Sequence, residues 1–259
     1  MRSLSDFDLL HLWEGGLRRH PLDRALLALG AAFPETPYDR LAEWPLGLRN
    51  RALVELRCRS FGQSLQGWIS CASCAERLEF SLDGRVITVD GLSTDERLRS
   101  GEIDHPVVVN RGTFRLPTSR DLAAAAQEID PRSAAIRIAE NCRISPPSSR
   151  SATTEPDAIG IRDPLAQSWS DEDLEDLGER MAAADPLAET RLTLHCPNCE
   201  SDREETLDVA AFLWAEIEAR ARRLLLEVHT LASAYGWSET EILSLSEDRR
   251  ARYVEMVQS

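Results

Sequence analysis

The chain has 259 residues with 44 acidic and 30 basic side chains, a formal net charge of −14, and every one of the 30 basic residues is arginine. Without lysine the chain cannot build a Walker-A phosphate loop, a protein-kinase ATP site or a pyridoxal phosphate Schiff base. The acidic surplus argues against broad binding to nucleic acids or anionic membranes, and the longest apolar runs, such as residues 25–29 and 224–226, are too short to span a bilayer.

The first sixty residues predict four short helices. The first runs from Ser5 to Glu14 and ends at Gly15-Gly16, and Pro21 opens the second because proline suits the first helical position. Thr36 is expected to cap a third helix with Pro37 at its first position. A fourth helix is expected from about residue 46 to residue 59. Their apolar residues recur at helical spacing, and we interpret them as core.

Two later segments each consist of a predicted strand, a C-x-x-C turn and a second predicted strand. The strands are residues 66–70 and 78–82 in the first segment, and residues 191–194 and 204–209 in the second. A strand, a cysteine knuckle and a strand, occurring twice, is the layout of a zinc ribbon.

The 121 residues between Cys74 and Cys196 read as an insertion into this ribbon. It is expected to contain a short helix capped at Ser93, a hairpin over residues 106–116, a helix begun by Thr118, a helix from Pro131 to near Cys142, and a helix capped by Ser170. Trp169 is placed to pack on Leu174 as a hydrophobic staple. Residues 145–156 are rich in proline and serine and predict a loop or linker.

The C-terminal third is the most regular part of the sequence. Apolar residues at helical spacing predict one long helix from residue 209 to residue 235, with Gly236 as its stop. Ser238 to Glu241 is a capping box for the next helix, and Ser246 caps the last one.

The two C-x-x-C pairs carry the clearest chemistry. Each pair aims two sulfur atoms at one point, and two pairs supply four soft thiolates, the ligand set of structural Zn²⁺. The predicted ligands are Cys71, Cys74, Cys196 and Cys199. Because four thiolates leave no open coordination position, such a zinc ion would be structural and not catalytic.

Alternatives to a shared zinc site remain open at this level. Either pair could form a disulfide, although an intracellular protein disfavours one, and a redox C-x-x-C normally opens a helix, which neither pair does. His195 could replace one thiolate, but neighbouring residues of a strand point to opposite faces. Cys58 and Cys142 lie in helical patterns and are interpreted as buried structural residues.

These elements predict an α+β fold that is mostly helical, with a small antiparallel zinc-ribbon-like β module split by a long insertion. The expected regions are an N-terminal helical region (1–60), the first half of the ribbon (61–92), the insertion (93–189), the second half of the ribbon (190–208) and the C-terminal helices (209–259). The N-terminus meets acidic residues before any apolar stretch, which is not typical of a secretory signal. We therefore expect a cytoplasmic protein.

Several runs of the sequence resemble a family of phage-type baseplate proteins. The runs are Phe-Leu-Trp-Ala-Glu-Ile at 212–217, residues 227–239 with their Tyr-Gly-Trp-Ser-Glu box, residues 242–246 and 249–253, Leu-Trp-Glu at 12–14, residues 20–26, and Arg-Leu-Pro-Thr-Ser-Arg-Asp-Leu at 115–122. The paired C-x-x-C knuckles fit the same family. It is described by similarity to T4-type baseplate hub assembly proteins and occurs with extracellular contractile injection systems. This sequence departs from its pattern at Ala75, where glycine is expected.

The resemblance implies an assembly chaperone or structural component of the baseplate of a contractile phage-tail-like injection system. It implies no reaction and no small-molecule substrate. Partners would be baseplate or hub proteins, with neither nucleic acid nor membrane. Since Trp, Tyr and Arg predominate at the energetic centres of protein interfaces, the residues expected to contact a partner are Trp214, Tyr235, Trp237, Arg249, Arg250 and Tyr253.

The sequence also bears on two other functions. The five histidines are scattered and form neither an H-E-x-x-H motif nor part of a G-x-S-x-G nucleophile elbow, so an enzyme is disfavoured. A zinc-ribbon regulator that binds nucleic acid is the main alternative, because the last helices could mimic a helix-turn-helix with Arg249, Arg250 and Arg252 near phosphates. The net charge of −14 opposes it.

Overall fold

The structure, a computed structural model, describes residues 1–87, 92–100, 106–144 and 169–258. Within these ranges the chain forms twelve helices and three antiparallel sheets of two strands each, which confirms the α+β class with mostly helical content. The loop expected at residues 145–156 lies outside the described residues. None of the described helices is long and apolar enough to cross a membrane.

Four helices build the N-terminal region: α1 (Asp6–Gly16), α2 (Pro21–Ala32), α3 (Tyr38–Ala42) and α4 (Leu46–Phe61). The Ser5 hydroxyl caps α1 by accepting the backbone N–H of Asp8. Pro21 occupies the first turn of α2, as expected. The expectation for α3 was wrong in one detail. Pro37 is its N-cap and no side chain caps the helix, so Thr36 does not serve as the cap.

The middle of the chain consists of short elements. These are β1 (Ser64–Ser70), β2 (Arg77–Asp83), α5 (Gly84–Ile87), α6 (Thr94–Ser100), β3 (Val107–Val109), β4 (Gly112–Phe114), α7 (Ser119–Ala125), α8 (Pro131–Cys142) and α9 (Asp171–Ala184). The capping residues predicted for α6, α7 and α9 bond as expected, through Ser93 with Glu96, Thr118 with Asp121, and Ser170 with Asp173.

The C-terminal part contains β5 (Thr190–His195), β6 (Asp202–Leu207), α10 (Val209–Tyr235), α11 (Glu239–Ser244) and α12 (Glu247–Gln258). Gly236 ends α10 in the left-handed conformation with φ of 69°, which costs glycine nothing. The Ser238 to Glu241 capping box then starts α11, as predicted.

Helix α10 lies at the centre of the main hydrophobic core, where it packs against α1, α2 and α4. Its side chains Leu213, Ile217 and Leu224 are essentially excluded from solvent. The contact with α1 is close because the Trp214 ring lies directly over Gly16, where an added Cβ would come within 2.0 Å of a ring carbon.

The insertion has a hydrophobic core of its own. Phe114 of β4, Cys142 of α8, and Leu177 and Met181 of α9 are buried there with Trp169, whose ring centroid lies 6.0 Å from that of Phe114. Leu174 packs against this cluster, in keeping with the predicted staple.

Polar contacts fasten the insertion to the start of α4. The backbone N–H of Leu46 donates to Pro117 O at 3.0 Å, and that of Gly47 donates to Asp185 Oδ2 at 2.8 Å. The Asn50 amide donates to the carbonyls of Leu187 and Ala188. Residues 185–188 are thereby held against the start of α4, immediately before β5 begins. This contact brings the end of the long insertion back near the β1–β2 hairpin, so that the second cysteine knuckle can meet the first.

The two halves of the expected ribbon do not merge into one sheet. Strand β1 pairs with β2, and β5 pairs with β6, each as a separate antiparallel hairpin within the described residues. The two hairpins meet at their tips, where the C-x-x-C turns lie.

Candidate metal centre

The two C-x-x-C turns have the same backbone conformation. In the first, the N–H of Ala75 donates to Cys71 O at 2.8 Å and the N–H of Cys71 donates to Glu76 O at 2.7 Å. In the second, the N–H groups of Glu200 and Cys196 donate to Cys196 O and Ser201 O, both at 2.9 Å. The two knuckles are therefore matching halves of one arrangement.

Each knuckle contains a non-glycine residue in the left-handed region. Ala75 has φ of 61° and Glu200 has φ of 57°, and both follow the second cysteine of their pair. A side chain in this conformation costs about 1–2 kcal/mol, because its Cβ crowds the following carbonyl. The backbone thus adopts the shape for which glycine was expected at residue 75, although the residue there is alanine.

The four predicted ligands are brought together. All four sulfur atoms lie within 4.8 Å of one another. The Sγ of Cys71 lies 3.7 Å from that of Cys199, and the Sγ of Cys74 lies 3.6 Å from that of Cys196. A disulfide would need about 2.05 Å between sulfurs. The cysteines are free, and each knuckle contributes two sulfurs to a single cluster.

Backbone amides favour the thiolate form at part of this cluster. The N–H groups of Cys74 and Ser73 point at the sulfur of Cys71 and lower its pKa to about 6. Hydrogen bonds from the hydroxyl and the backbone N–H of Ser201 lower the pKa of Cys199. For Cys196, the amide of Cys199 acts in the same direction, but burial and the neighbouring thiols outweigh it and raise the pKa to about 11.

The cluster is covered on one side and open on the other. Cys71 and Cys196 are buried and pack with Leu78, whereas Cys199 is exposed. The Ser201 hydroxyl lies 3.1 Å from the sulfur of Cys199 and 3.8 Å from that of Cys71. Ser201 was not singled out from the sequence, although its place two residues beyond a C-x-x-C pair is a usable signal.

The remaining histidine and cysteine candidates stand apart from the cluster. His195 is exposed, and its Nδ1 lies 2.8 Å from a carboxylate oxygen of Asp202. Cys142 is buried as expected, and burial raises its pKa to about 12. Cys58 is only half-buried, which corrects its interpretation as a fully buried residue. It faces the space beside Gly84, where a Cβ would meet its sulfur.

Two of the six residues expected to contact a partner are taken up by the interior. Trp214 is 8% exposed beneath α1, and Arg250 is fully buried. The Arg250 guanidinium donates to Asp6, Glu227 and the Leu245 carbonyl. This corrects the prediction for these two, since neither reaches the surface in this fold.

The other four residues lie at the C-terminal end of the molecule. Tyr235 stacks on Trp237 with ring centroids 4.7 Å apart, and Tyr253 meets the Trp237 ring edge-on at 5.0 Å. Tyr235 is 41% exposed, and Arg249 is exposed nearby on α12. We call Tyr235, Trp237 and Tyr253 the aromatic cluster.

Comparison of the chain with protein-family models, with curated proteins and with solved structures finds no match in any of the three.

Proposed function

We propose that the four cysteines bind one structural zinc ion. A tetrahedral zinc site with Zn–S bonds of 2.3 Å has sulfurs about 3.8 Å apart. The distances of 3.6 Å and 3.7 Å between knuckles match that edge. Tetrahedral sulfur sites also suit iron, but zinc is the usual ion of two C-x-x-C turns on hairpins.

The zinc ion holds together two hairpins that no shared sheet joins. Four thiolates fill its coordination shell, so water or substrate has no position on the metal. The ion contributes to folding, because an unfolded chain does not present the four sulfurs together. We accordingly propose a protein without enzymatic activity, whose zinc ion is part of its architecture.

The metal content is directly measurable. Elemental analysis of the purified protein should give one zinc per chain, and Cys74→Ser should lose it because three thiolates and a hydroxyl bind far more weakly. Cys58→Ser is the matched control, since Cys58 lies outside the cluster, and it should keep the metal. A metal ratio near zero in the unaltered protein would contradict the zinc site. One iron per chain in place of zinc would mean that the four cysteines bind iron.

We further propose that the protein acts by contacts with other proteins, as an assembly factor or structural component of the baseplate of a contractile injection system. Two features support this role. The first is the resemblance of residues 212–217, 227–239 and 115–122 to baseplate hub assembly proteins. The second is the partly exposed aromatic cluster, because stacked tyrosine and tryptophan side chains are preferred contact residues of protein interfaces.

Co-purification tests the baseplate role. The tagged protein, expressed in cells with the neighbouring tail genes, should recover baseplate or hub components. Tyr235→Ala combined with Trp237→Ala should reduce recovery, whereas Tyr38→Ala, which removes an exposed tyrosine of α3, should not. Absence of every tail component from the recovered fraction would argue against the role.

The nucleic-acid-binding alternative has less support from the described surface. Arg250 is buried and Arg252 is paired with Glu255 at 2.9 Å. The sequence of the two cysteine hairpins carries more acidic than basic residues, so their surface opposes phosphates. Binding of duplex DNA that persists at physiological salt would favour this alternative.

A further inference from the structure

A cleft separates the two cysteine hairpins where they diverge from the metal centre. It has a volume of about 490 Å³, and the first half of α10 forms its base. Apolar side chains from both hairpins and from α10 line it: Ile69, Phe80, Leu192, Leu194, Leu207 and Phe212.

The cleft lies where the hairpins turn apolar faces toward each other beyond the point at which they pack together near the cysteines. Ile69 and Leu194 pack with Leu78 against the buried sulfurs, which closes that end. Farther along, Phe80 lies across from Gly67 in the register, and its ring covers the space that a Cβ of Gly67 would fill. Phe80 stays half-buried, whereas Trp68 lies on the opposite, exposed face of the hairpin, where Arg77 stacks on its ring. The apolar faces are thus incompletely covered.

The strands that border the cleft present their edges to it. Strand β1 contributes four consecutive residues, 66–69, and β6 contributes the consecutive residues 205–207. By contrast, β2 contributes only Phe80, and β5 contributes the alternate residues Leu192 and Leu194. Consecutive residues border a cavity when the backbone edge faces it, since alternate residues point to opposite faces. Among the described residues, β1 and β6 each pair with one strand, so each has an open edge.

The charge around the cleft is negative, although arginines outside its lining pair with most of the glutamates. Its lining includes the carboxylates of Glu205, Asp208 and Glu216 and no arginine. Two of them have arginine partners, Glu205 with Arg203 and Glu216 with Arg57. Glu79 and Glu204 lie on the exposed faces of the hairpins, away from the cleft, and pair with Arg77 and Arg191. A zinc ion bound by four thiolates adds two further negative charges.

We propose that this cleft binds an extended segment of a partner protein, which adds a strand between the open edges of β1 and β6. Backbone hydrogen bonds to an open edge supply affinity, and side chains on alternate residues supply specificity. The alternate residues that face the floor would be aliphatic, and those that face the acidic rim would be lysine or arginine. The inference uses the zinc ion only to hold the hairpins and does not depend on a baseplate role.

A peptide of alternating lysine and valine tests the proposal with the zinc-loaded full-length protein. Titration calorimetry should detect binding, and the matched peptide of alternating glutamate and valine should not bind. Hydrogen exchange should show new protection at backbone amides of β1 and β6. Phe80→Ala should weaken binding about tenfold, as loss of an interface aromatic does, and Leu226→Ala, an exposed apolar control on α10, should leave it unchanged.

Glu205→Gln tests the contribution of charge to binding separately from that of the apolar side chains. It should weaken binding of the lysine–valine peptide and not of a serine–valine peptide, since only lysine interacts with the carboxylates beside the cleft. The proposal would be overturned if the acidic peptide bound equally well, or if hydrogen-exchange protection were confined to the C-terminal helices. It would also be overturned if a protein with full zinc content bound no peptide. A dimer that forms in the absence of peptide and that Phe80→Ala dissociates would also overturn it, by assigning the cleft to a second copy. Zinc analysis of the same sample distinguishes failure of this proposal from failure of the metal site.

Discussion

The guanidinium of Arg250 donates a hydrogen bond of 2.6 Å to the carboxylate of Asp6, 244 residues earlier in the chain. Its Nε donates to Glu227 at 2.6 Å, and Asp6 also accepts a hydrogen bond from Arg220. Arg250 is the one residue of α12 that is buried among those described, so this ion network is the main attachment of the last helix to α1 and α10.

Arg250→Ala is therefore expected to destabilise the protein strongly. Removing one member of a buried ion pair leaves its partners without compensation and costs about 3–5 kcal/mol. Urea unfolding followed by circular dichroism measures the loss. Arg249→Ala, one residue earlier and exposed, should leave the unfolding midpoint unchanged. Equal effects of the two substitutions would show that Arg250 does not anchor α12.

Two glycines should respond to alanine in opposite directions. At Gly16 a Cβ would lie 2.0 Å from the Trp214 ring, so Gly16→Ala should destabilise by about 1–3 kcal/mol through overpacking. At Gly178, inside α9, the added carbon has no atom of the described residues within 4 Å apart from the neighbouring backbone of its own helix. Gly178→Ala should stabilise by about 0.5–1 kcal/mol, because alanine has the better helix propensity. Thermal unfolding of both variants checks the pair, and a stabilising Gly16→Ala would contradict the close contact.

Glycine in place of the two left-handed residues should stabilise the metal-bound knuckles. Ala75→Gly and Glu200→Gly each relieve a left-handed non-glycine residue, and the gain exceeds the entropy cost of glycine by about 0.5–1 kcal/mol. Ala72→Gly is the control, because Ala72 does not have positive φ and should only lose stability. The readout is the chelator concentration that removes half of the metal. If Ala75→Gly lost its metal at a lower chelator concentration than the unaltered protein, the left-handed backbone would not be the source of strain.

Metal removal should affect one part of the fold. The hairpins are joined to each other at the cysteines, whereas the main core and the core of the insertion contain no part of the cluster. A strong chelator should thus expose strands β1, β2, β5 and β6 to rapid hydrogen exchange while the helical circular dichroism signal is largely kept. Complete loss of helix on chelation would mean that the metal holds the whole fold.

Asp121 should make the stability depend on pH in the acidic range. Burial raises its pKa, but hydrogen bonds from Arg115 and Thr118 outweigh burial, so the pKa lies below its ordinary value of 3.8. A lowered folded-state pKa stabilises the protein above the unfolded-state value, and that stabilisation is lost as pH falls from about 4 toward the folded pKa. Because Arg115 is partly exposed, the effect is about 1–2 kcal/mol.

The comparison of the unaltered protein with Asp121→Asn isolates this carboxylate, since both share the metal site. The difference in unfolding free energy should be largest near neutral pH and shrink below pH 4. A difference that is constant down to acid would mean that Asp121 acts through its shape and not its charge.

Much of the local structure could be predicted because it depends on near neighbours. Ser5, Ser238 and Gly236 start or stop helices through bonds that reach three or four residues, so a short stretch of sequence is enough. Each C-x-x-C pair likewise defines half of a sulfur cluster within four residues. Thr36 is not the cap because Pro37 takes that position itself: its backbone is extended with ψ of 145°, and its carbonyl accepts the first helical N–H groups, those of Arg40 and Leu41.

Other features depended on contacts between distant segments. Nothing near Cys74 shows that it meets Cys196, which requires that the insertion return along α4 through Asn50 and Asp185. Nor does the local pattern distinguish Arg250, buried by Asp6 and Glu227, from the exposed Arg249 beside it.

The sequence by itself excluded lysine chemistry, located most of the helix caps and stops, and indicated two matching C-x-x-C pairs. Tertiary packing decided which aromatic and arginine side chains reach the surface, and it left the two cysteine hairpins as separate sheets with open edges. The physical reason is that caps and turns are local hydrogen bonds, whereas burial depends on which distant faces come together as the chain folds.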